Sequence, residues 1–498
     1  MNTTHAQLSV GTAPATTAIP GRWVAAVVMT IAALMDMIDI TIVNVALPTI
    51  RGDLDASGTQ LAWILSAYML AFAATLIVAG SFGDLFGRRR IFLLGIAGFG
   101  LASLGAGLAQ NAEQLIAARV VQGVAAAAMM PQVLATFRAI FSGKERGQAF
   151  GLYGAILGFA SAIGLVLGGV LTEADLFGWS WRTIFLVNIP VAVFALVATT
   201  LFVPETRDRA GRRPDLLGAG LLAAALVAIA YPLLEGRQLG WPTWNWLLLA
   251  GGVALLGLLG LVEARRHRPE IAPLLRPQLF RIPAFSAGLA VQFAFSAGLQ
   301  GFFLAFALWL QAGQGFSPLR AGLTSLAFSV GGFLLAPVSV PLAVRYGRLV
   351  LVAGALMLAA GVGVVDLGAE HVGSGQSPWP LVPGLVLGGA SLALLVIPLA
   401  NVVLAAVPSN AAGGASGLFT TAQQLGGAIG VAAVGTVFFG YLDGHTFLAS
   451  FQHSAPYVMA AFVASGLLAL ILPRTAVGEE ELIAGDDPDI SIEWRNRP

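Results

Sequence analysis

The sequence predicts an all-α polytopic membrane protein with fourteen transmembrane helices, built as two six-helix repeats with two further helices inserted between them. Three observations predict it. The composition is 57% hydrophobic and only 10% charged, with a mean hydropathy of +0.84, which no soluble domain approaches. Apolar segments of about 20 residues, the length that crosses roughly 30 Å of hydrocarbon, recur along the whole chain. The chain also resembles itself at a shift of 266 positions, which lays Gly151-Leu152-Tyr153 on Gly417-Leu418-Phe419 and Ser161-Ala162-Ile163-Gly164 on Gly427-Ala428-Ile429-Gly430. Duplicated helical halves are an architecture of secondary transporters, in which substrate binds near the midplane between the halves.

In chain order the spans fall at 23–48, 60–82, 91–109, 114–137, 147–171, 183–203, 215–234, 244–262, 284–312, 319–343, 349–367, 380–405, 413–440 and 456–472. They divide the chain into a cytoplasmic tail (1–22), a first six-helix bundle (23–205), a linker carrying spans seven and eight (206–282), a second bundle (283–473) and an acidic cytoplasmic tail (474–498). Basic residues fix the orientation, because cytoplasmic loops accumulate Lys and Arg. Alternate connections and both ends carry 21 of them, whereas the opposite connections carry four: Arg51, Arg182, Arg237 and Arg320. Both termini are therefore expected in the cytoplasm. The polar first twenty residues lack the pattern of a cleavable signal, so the first span is expected to serve as its own targeting signal.

Composition excludes several chemistries. Without cysteine there is no disulfide, thiolate metal site or cysteine nucleophile. A Walker loop needs Gly-Lys-Ser/Thr, but Lys144, the chain's single lysine, is followed by Glu145, so no nucleotide site is expected. His5, His267, His371, His445 and His453 all fall outside the spans and form no cluster, which disfavours a polytopic membrane enzyme. No metal, cofactor or nucleic-acid partner is expected. Transport energy must then come from an ion gradient, or the protein is a facilitator.

Asp36 and Asp39 lie inside the first span. A charge near the bilayer centre costs a few kcal/mol, so such residues face a bundle interior or a water-filled cavity. At spacing i, i+3 the two carboxylates share one helix face, which points to a proton or cation pathway. The structural alternative is an acid neutralised by an arginine. Between spans two and three, Gly83-Asp84-Leu85-Phe86-Gly87-Arg88-Arg89-Arg90 places an acid beside a run of arginines on a glycine turn, suited to a charge-assisted clamp that acts as a conformational gate. Arg345-Tyr346-Gly347-Arg348 is its degraded counterpart in the second half.

That loop resembles the signature of the major facilitator superfamily. Asp39-Ile40-Thr41-Ile42-Val43-Asn44-Val45-Ala46-Leu47-Pro48 is similar to the first-helix motif of its fourteen-span drug:proton antiporters, the EmrB/QacA type. Arg119-Val120-Val121-Gln122-Gly123 resembles their fourth-helix motif. Trp181-Arg182-Thr183-Ile184-Phe185-Leu186-Val187-Asn188-Ile189-Pro190 resembles their sixth-helix entry, and Gln424-Leu425-Gly426-Gly427-Ala428-Ile429-Gly430 their thirteenth-helix pattern. The resemblance implies a proton-coupled exporter of lipophilic drugs or antibiotics in a bacterial plasma membrane, working by alternating access as a monomer. It also places Asp39 and Arg119 in the coupling apparatus, whereas Asp36 has no counterpart in the motif. In span five the family's proline is replaced by Leu165, although Gly154, Gly158, Gly164, Gly168 and Gly169 still permit close helix packing.

Counted along the helices at 1.5 Å per residue, Arg119 lies roughly 9 Å and Asp39 roughly 13 Å below the outer surface, depths that allow them to pair. Candidates for a substrate cavity are Thr41, Asn44, Trp63, Tyr68, Gln122, Met129, Met130, Trp309, Asn401, Phe419 and Gln423. Two other readings stay open: an exporter dedicated to one endogenous metabolite, antibiotic or lipid, and, more remotely, a membrane enzyme or receptor. Twenty-five arginines against one lysine point to a high-GC bacterial genome.

Overall fold

In a computed structural model, residues 21–207, 213–265, 271–272, 278–373, 377–408 and 412–473 are described. The expected tails, apart from residues 21 and 22, and most of the two arginine-rich connections around spans seven and eight lie outside them. The described chain is all-helical apart from a two-residue parallel pairing of Arg213–Pro214 with Ile271–Ala272. Among the described residues, twelve helices are long and apolar enough to cross a membrane.

The first half comprises α1 (Arg22–Leu54), α2 (Gly58–Phe86), α3 (Arg88–Gly107), α4 (Ala112–Ile140), α5 (Gly143–Glu173), α6 (Thr183–Leu186) and α7 (Asn188–Phe202). Next come α8 (Leu216–Glu235) and α9 (Thr243–Arg265). The second half comprises α10 (Pro283–Leu308), α11 (Pro318–Tyr346), α12 (Arg348–Ala369), α13 (Val382–Ala405), α14 (Ala412–Leu442) and α15 (Phe447–Ala469). Polar residues set many starts. Ser57 and Gln60 form a reciprocal capping box on α2, and Asn111, Ser317 and Thr446 accept from backbone N–H groups on α4, α11 and α15.

Hydropathy misplaced one boundary. The last helix begins at Phe447 rather than 456, because Thr446 caps it and Gln452, His453 and Pro456 ride inside it. Apolarity marks the buried stretch of such a helix, not its hydrogen-bonded length. α10 likewise runs on through a π-turn at Trp309–Gly313.

The halves meet along two helix pairs, α2 on α14 and α5 on α11. Under the internal shift α5 corresponds to α14 and α2 to α11, so the second helix of each half packs on the fifth of the other and the two pairs are counterparts. Small residues make the approach. A methyl on Gly168 would lie 2.9 Å from the Ile42 side chain of α1, and one on Gly169 would meet the backbone of Pro318 and Leu319 at the start of α11. Gly164 abuts Thr41, and its repeat counterpart Gly430 abuts Ala297 of α10. Gly154 faces open space, and the surroundings of Gly158 are outside the described residues. Leu165 leaves α5 without a proline, and the helix is continuous from Gly143 to Glu173.

At one end the halves are sealed. Gln311 donates to the Val45 carbonyl at 2.7 Å, the Leu319 N–H donates to Glu173 at 3.2 Å, and Arg51 lies over the Phe439 ring. α8 straps the same end: Trp63 of α2 donates to Glu235, Thr436 of α14 donates to the Leu233 carbonyl, and Arg237 pairs with Asp443.

This packing predicts that Gly168→Val destabilises the protein by about 1–3 kcal/mol through overpacking against α1. Gly154→Ala should leave its thermal unfolding temperature in detergent unchanged, and equal losses for both would contradict the assignment.

Candidate functional site

Five elements bring one buried polar cluster together in the first half. Asp39 is fully buried and Arg119 is 1% exposed. The Arg119 guanidinium pairs with Asp39, donates to Gln122 Oε1 at 2.9 Å and, through Nε, to the Ile64 carbonyl at 3.2 Å. The second Asp39 oxygen accepts from Asn188 at 2.9 Å and Gln122 at 3.2 Å, while Gln122 also donates to Ser103 at 2.8 Å. Gly123 allows α4 to lie against the α2 backbone at Tyr68, which brings Arg119 and Gln122 within reach of α1. A buried ion pair survives only when its remaining donors and acceptors find partners, and here Arg119 Nε and Nη1 and both Asp39 oxygens have them.

Asp36 sits one turn away with different neighbours. The Tyr68 hydroxyl donates to it, and the Tyr68 ring lies 4.3 Å below the Arg119 guanidinium. Asp36 opens on a cavity of about 1220 Å³ between the halves, whereas Asp39 and Arg119 do not line it. Thr41 and Asn44 line its inner end together with Leu165. Its walls carry Phe72, Tyr153, Phe295, Phe303, Phe328 and Phe333, with the amides Gln300, Gln423 and Gln424 between them. From there it runs to Asp84, Arg88 and the exposed Arg138 at the end opposite the seal.

Several candidates from the sequence are not cavity residues. Tyr68 and Gln122 are turned into the polar cluster. Met129 packs against Gly95, and Trp309 stacks on Phe451 with centroids 4.9 Å apart. Trp63 is held by Glu235 of α8, Phe419 is buried outside the lining, and Asn401 is exposed outside it. Met130, Thr41, Asn44 and Gln423 do line it. Sequence reasoning missed Ser103, which had no motif to announce it. It also missed the Phe295, Leu299, Phe303 face of α10, whose i, i+4 spacing carried the signal.

The glycine–arginine loop is tied down inside the first half. Gly87 adopts φ +109° at the turn, and a methyl there would meet the Glu205 carboxylate at 2.7 Å. Arg88 bonds Asp84 at 2.8 Å and the Ala135 carbonyl at 3.3 Å. The Arg89 N–H donates to Glu205, and Arg90 lies 3.8 Å from the same carboxylate. Gly83 presses on the Gln132 side chain. Among the described residues no hydrogen bond or ion pair of this loop reaches the second half, and the cavity is open beside it.

The sequence profile of the Major Facilitator Superfamily matches residues 29–431. The chain belongs to that superfamily. It is 38% identical over 460 residues to the probable actinorhodin transporter of Streptomyces coelicolor, covering 92% of this chain and 79% of that one. It is 33% identical to the tetracenomycin C resistance and export protein of Streptomyces glaucescens, over 83% of this chain and 76% of that one. The multidrug efflux pump LfrA of Mycolicibacterium smegmatis is 31% identical over 85% of this chain and 82% of its own length. Among solved structures, a D-xylose-proton symporter superposes with a TM-score of 0.65 at 14% identity, over 91% of this chain and 98% of that one, which speaks for the fold alone. The superfamily membership makes this a multi-span membrane transporter of small molecules rather than an enzyme.

Removing one partner of a buried ion pair costs about 3–5 kcal/mol because the other charge is left uncompensated. Arg119→Ala should therefore lower thermal stability by that order, and Asp39→Asn, which keeps one oxygen for the amide donors but leaves Arg119 without its counter-charge, should lower it as well while leaving protein in the membrane. Unfolding midpoints of the purified variants check this.

Proposed function

We propose that the protein is a proton-coupled exporter of flat, lipophilic aromatic compounds, a fourteen-span drug:proton antiporter of the EmrB/QacA type. The carrying observation is the cavity: aromatic walls and amides, with the carboxylate of Asp36 in its lining and the Asp39–Arg119 pair directly behind. Aromatic walls suit a planar apolar ligand, and a few amides orient it. A carboxylate reached from the cavity supplies a place where proton and substrate are exchanged.

On this reading α5 and α15 span the membrane along with the twelve helices above, α6 and α7 forming one span, and α8 and α9 are the inserted pair. Residues 23–205 and 283–473 are the rocking bundles. The arginine-rich end, with Arg22 bound to Glu145 and Arg348 bound to the Leu472 carbonyl, faces the cytoplasm, and both termini lie there. The structure is then the inward-open state of an alternating-access cycle, sealed outside and loaded from the cytoplasm, and the Asp84–Arg88 clamp serves the state in which that mouth closes. Protons are the coupling ion, and the working unit is a monomer in the plasma membrane.

The names of the relatives favour a second reading. Several are named for a single antibiotic, as in the actinorhodin and tetracenomycin C transporters, so this chain would be dedicated to one aromatic product rather than to many.

Cells expressing the protein should retain less ethidium than controls, and a protonophore should abolish the difference. Efflux that persists after the proton gradient collapses would indicate another coupling ion, and export of one aromatic antibiotic without any dye would select the dedicated reading. Asp84→Asn should slow efflux with normal amounts of protein in the membrane, and an unchanged rate would remove the clamp from the cycle.

A further inference from the structure

We propose that Tyr68 is the positioning residue that couples the cavity to the sealed ion pair, by binding the Asp36 carboxylate with its hydroxyl and the Arg119 guanidinium with its ring. The inference rests on the proton-antiport reading and adds the physical link that such a reading needs. Asp39 lies outside the cavity lining and has its partners satisfied on every side, so neither substrate nor cavity water reaches it in this state. Asp36 lines the cavity and has no cation of its own. Of the two carboxylates Asp39 holds the guanidinium, and Asp36, which lines the cavity, is bonded by the Tyr68 hydroxyl instead.

Tyr68 is 0% exposed and stands between them. Its hydroxyl donates to Asp36 while that group is an acceptor. Its ring, 4.3 Å from the guanidinium carbon of Arg119, holds the cation that neutralises Asp39. When a proton from cavity water bonds to an Asp36 oxygen, or a cationic substrate binds it, the hydrogen bond from Tyr68 weakens and the phenol is freed to turn. The ring then moves against Arg119, and the grip of Arg119 on Asp39 changes with it. When substrate displaces the proton, the proton returns to cavity water and the phenol rebinds.

The other ionisable groups around Asp36 are few. Asp39 lies on its own helix, Arg119 comes from α4 and Tyr153 from α5. The second half lines the cavity with amides and aromatics and with no charged side chain among the described residues. The N-terminal half thus contains the whole electrostatic circuit, and Tyr68 is the member that touches both of its ends.

The test uses the full chain in proteoliposomes with ethidium as the probe, comparing accumulation driven by an imposed pH gradient with gradient-free counterflow. Tyr68→Phe keeps the ring over Arg119 and removes the hydroxyl. It should reduce gradient-driven accumulation about tenfold and flatten its pH profile, while counterflow changes by no more than about twofold. Tyr68→Leu, which removes the ring as well, should impair both modes. Wild-type driven transport and pH profile in Tyr68→Phe would overturn the coupling role, and so would equal loss of both modes, which marks a purely structural residue. A wild-type protein indifferent to the pH gradient would instead overturn the antiport reading on which the inference stands.

Discussion

A guanidinium and a carboxylate at the depth of Asp39 and Arg119 have no water to fall back on, and the first half is arranged around meeting their demands. An isolated charge there would cost many kcal/mol, and a pair with unmet lone pairs would fare little better. The answer is collective. α1 supplies the acid, α4 the cation and Gln122, α3 contributes Ser103, α7 contributes Asn188, and α2 offers the Ile64 carbonyl and the Tyr68 ring. Five helices are thereby held in one register, and small residues such as Gly123 exist where that register demands contact of backbones.

The second half is built differently. It brings Phe295, Phe303, Phe328 and amides to the shared cavity and, among the described residues, no charged side chain. One bundle then carries charge and the other carries shape. Between them, the seal depends on modest contacts: single hydrogen bonds such as Gln311 to Val45, a cation over an aromatic ring, and the α8 strap. Each is worth on the order of 1 kcal/mol, so on the proposed reading the seal would open as a whole while the bundles stay intact. That contrast between a rigid charged core and weak cross-half contacts is what an alternating-access transporter requires.

The arginine-rich loop illustrates how one motif serves two demands. Gly87 must be glycine both for its positive φ and for the nearness of Glu205. The arginines it positions are all engaged within their own half, with Asp84, the Ala135 carbonyl and Glu205. The loop is preassembled, and on the proposed alternating-access reading movement of the second half toward it would complete a closed mouth.

By itself the sequence determined the membrane class, the positions of most spans, the basic asymmetry and the residues of the buried pair, because each is a local property: apolar length, charge, or an acid where water is absent. The depths of Asp39 and Arg119, counted along their helices, allowed them to meet, and the fold pairs them. Only the tertiary structure decided which polar residues look into the cavity. Tyr68, Gln122, Trp63 and Trp309 all looked like lining residues, yet each is turned into a packed neighbour, since a helix rotation of one residue changes the partner by about 100° and no local pattern fixes it. The same freedom put Asp36, the acid outside the recognised motif, on the cavity and sealed Asp39 behind it. Which face of α1 meets α4 rather than the space between the halves is set by contacts 80 to 149 residues apart in the chain, and those exist only in the folded protein.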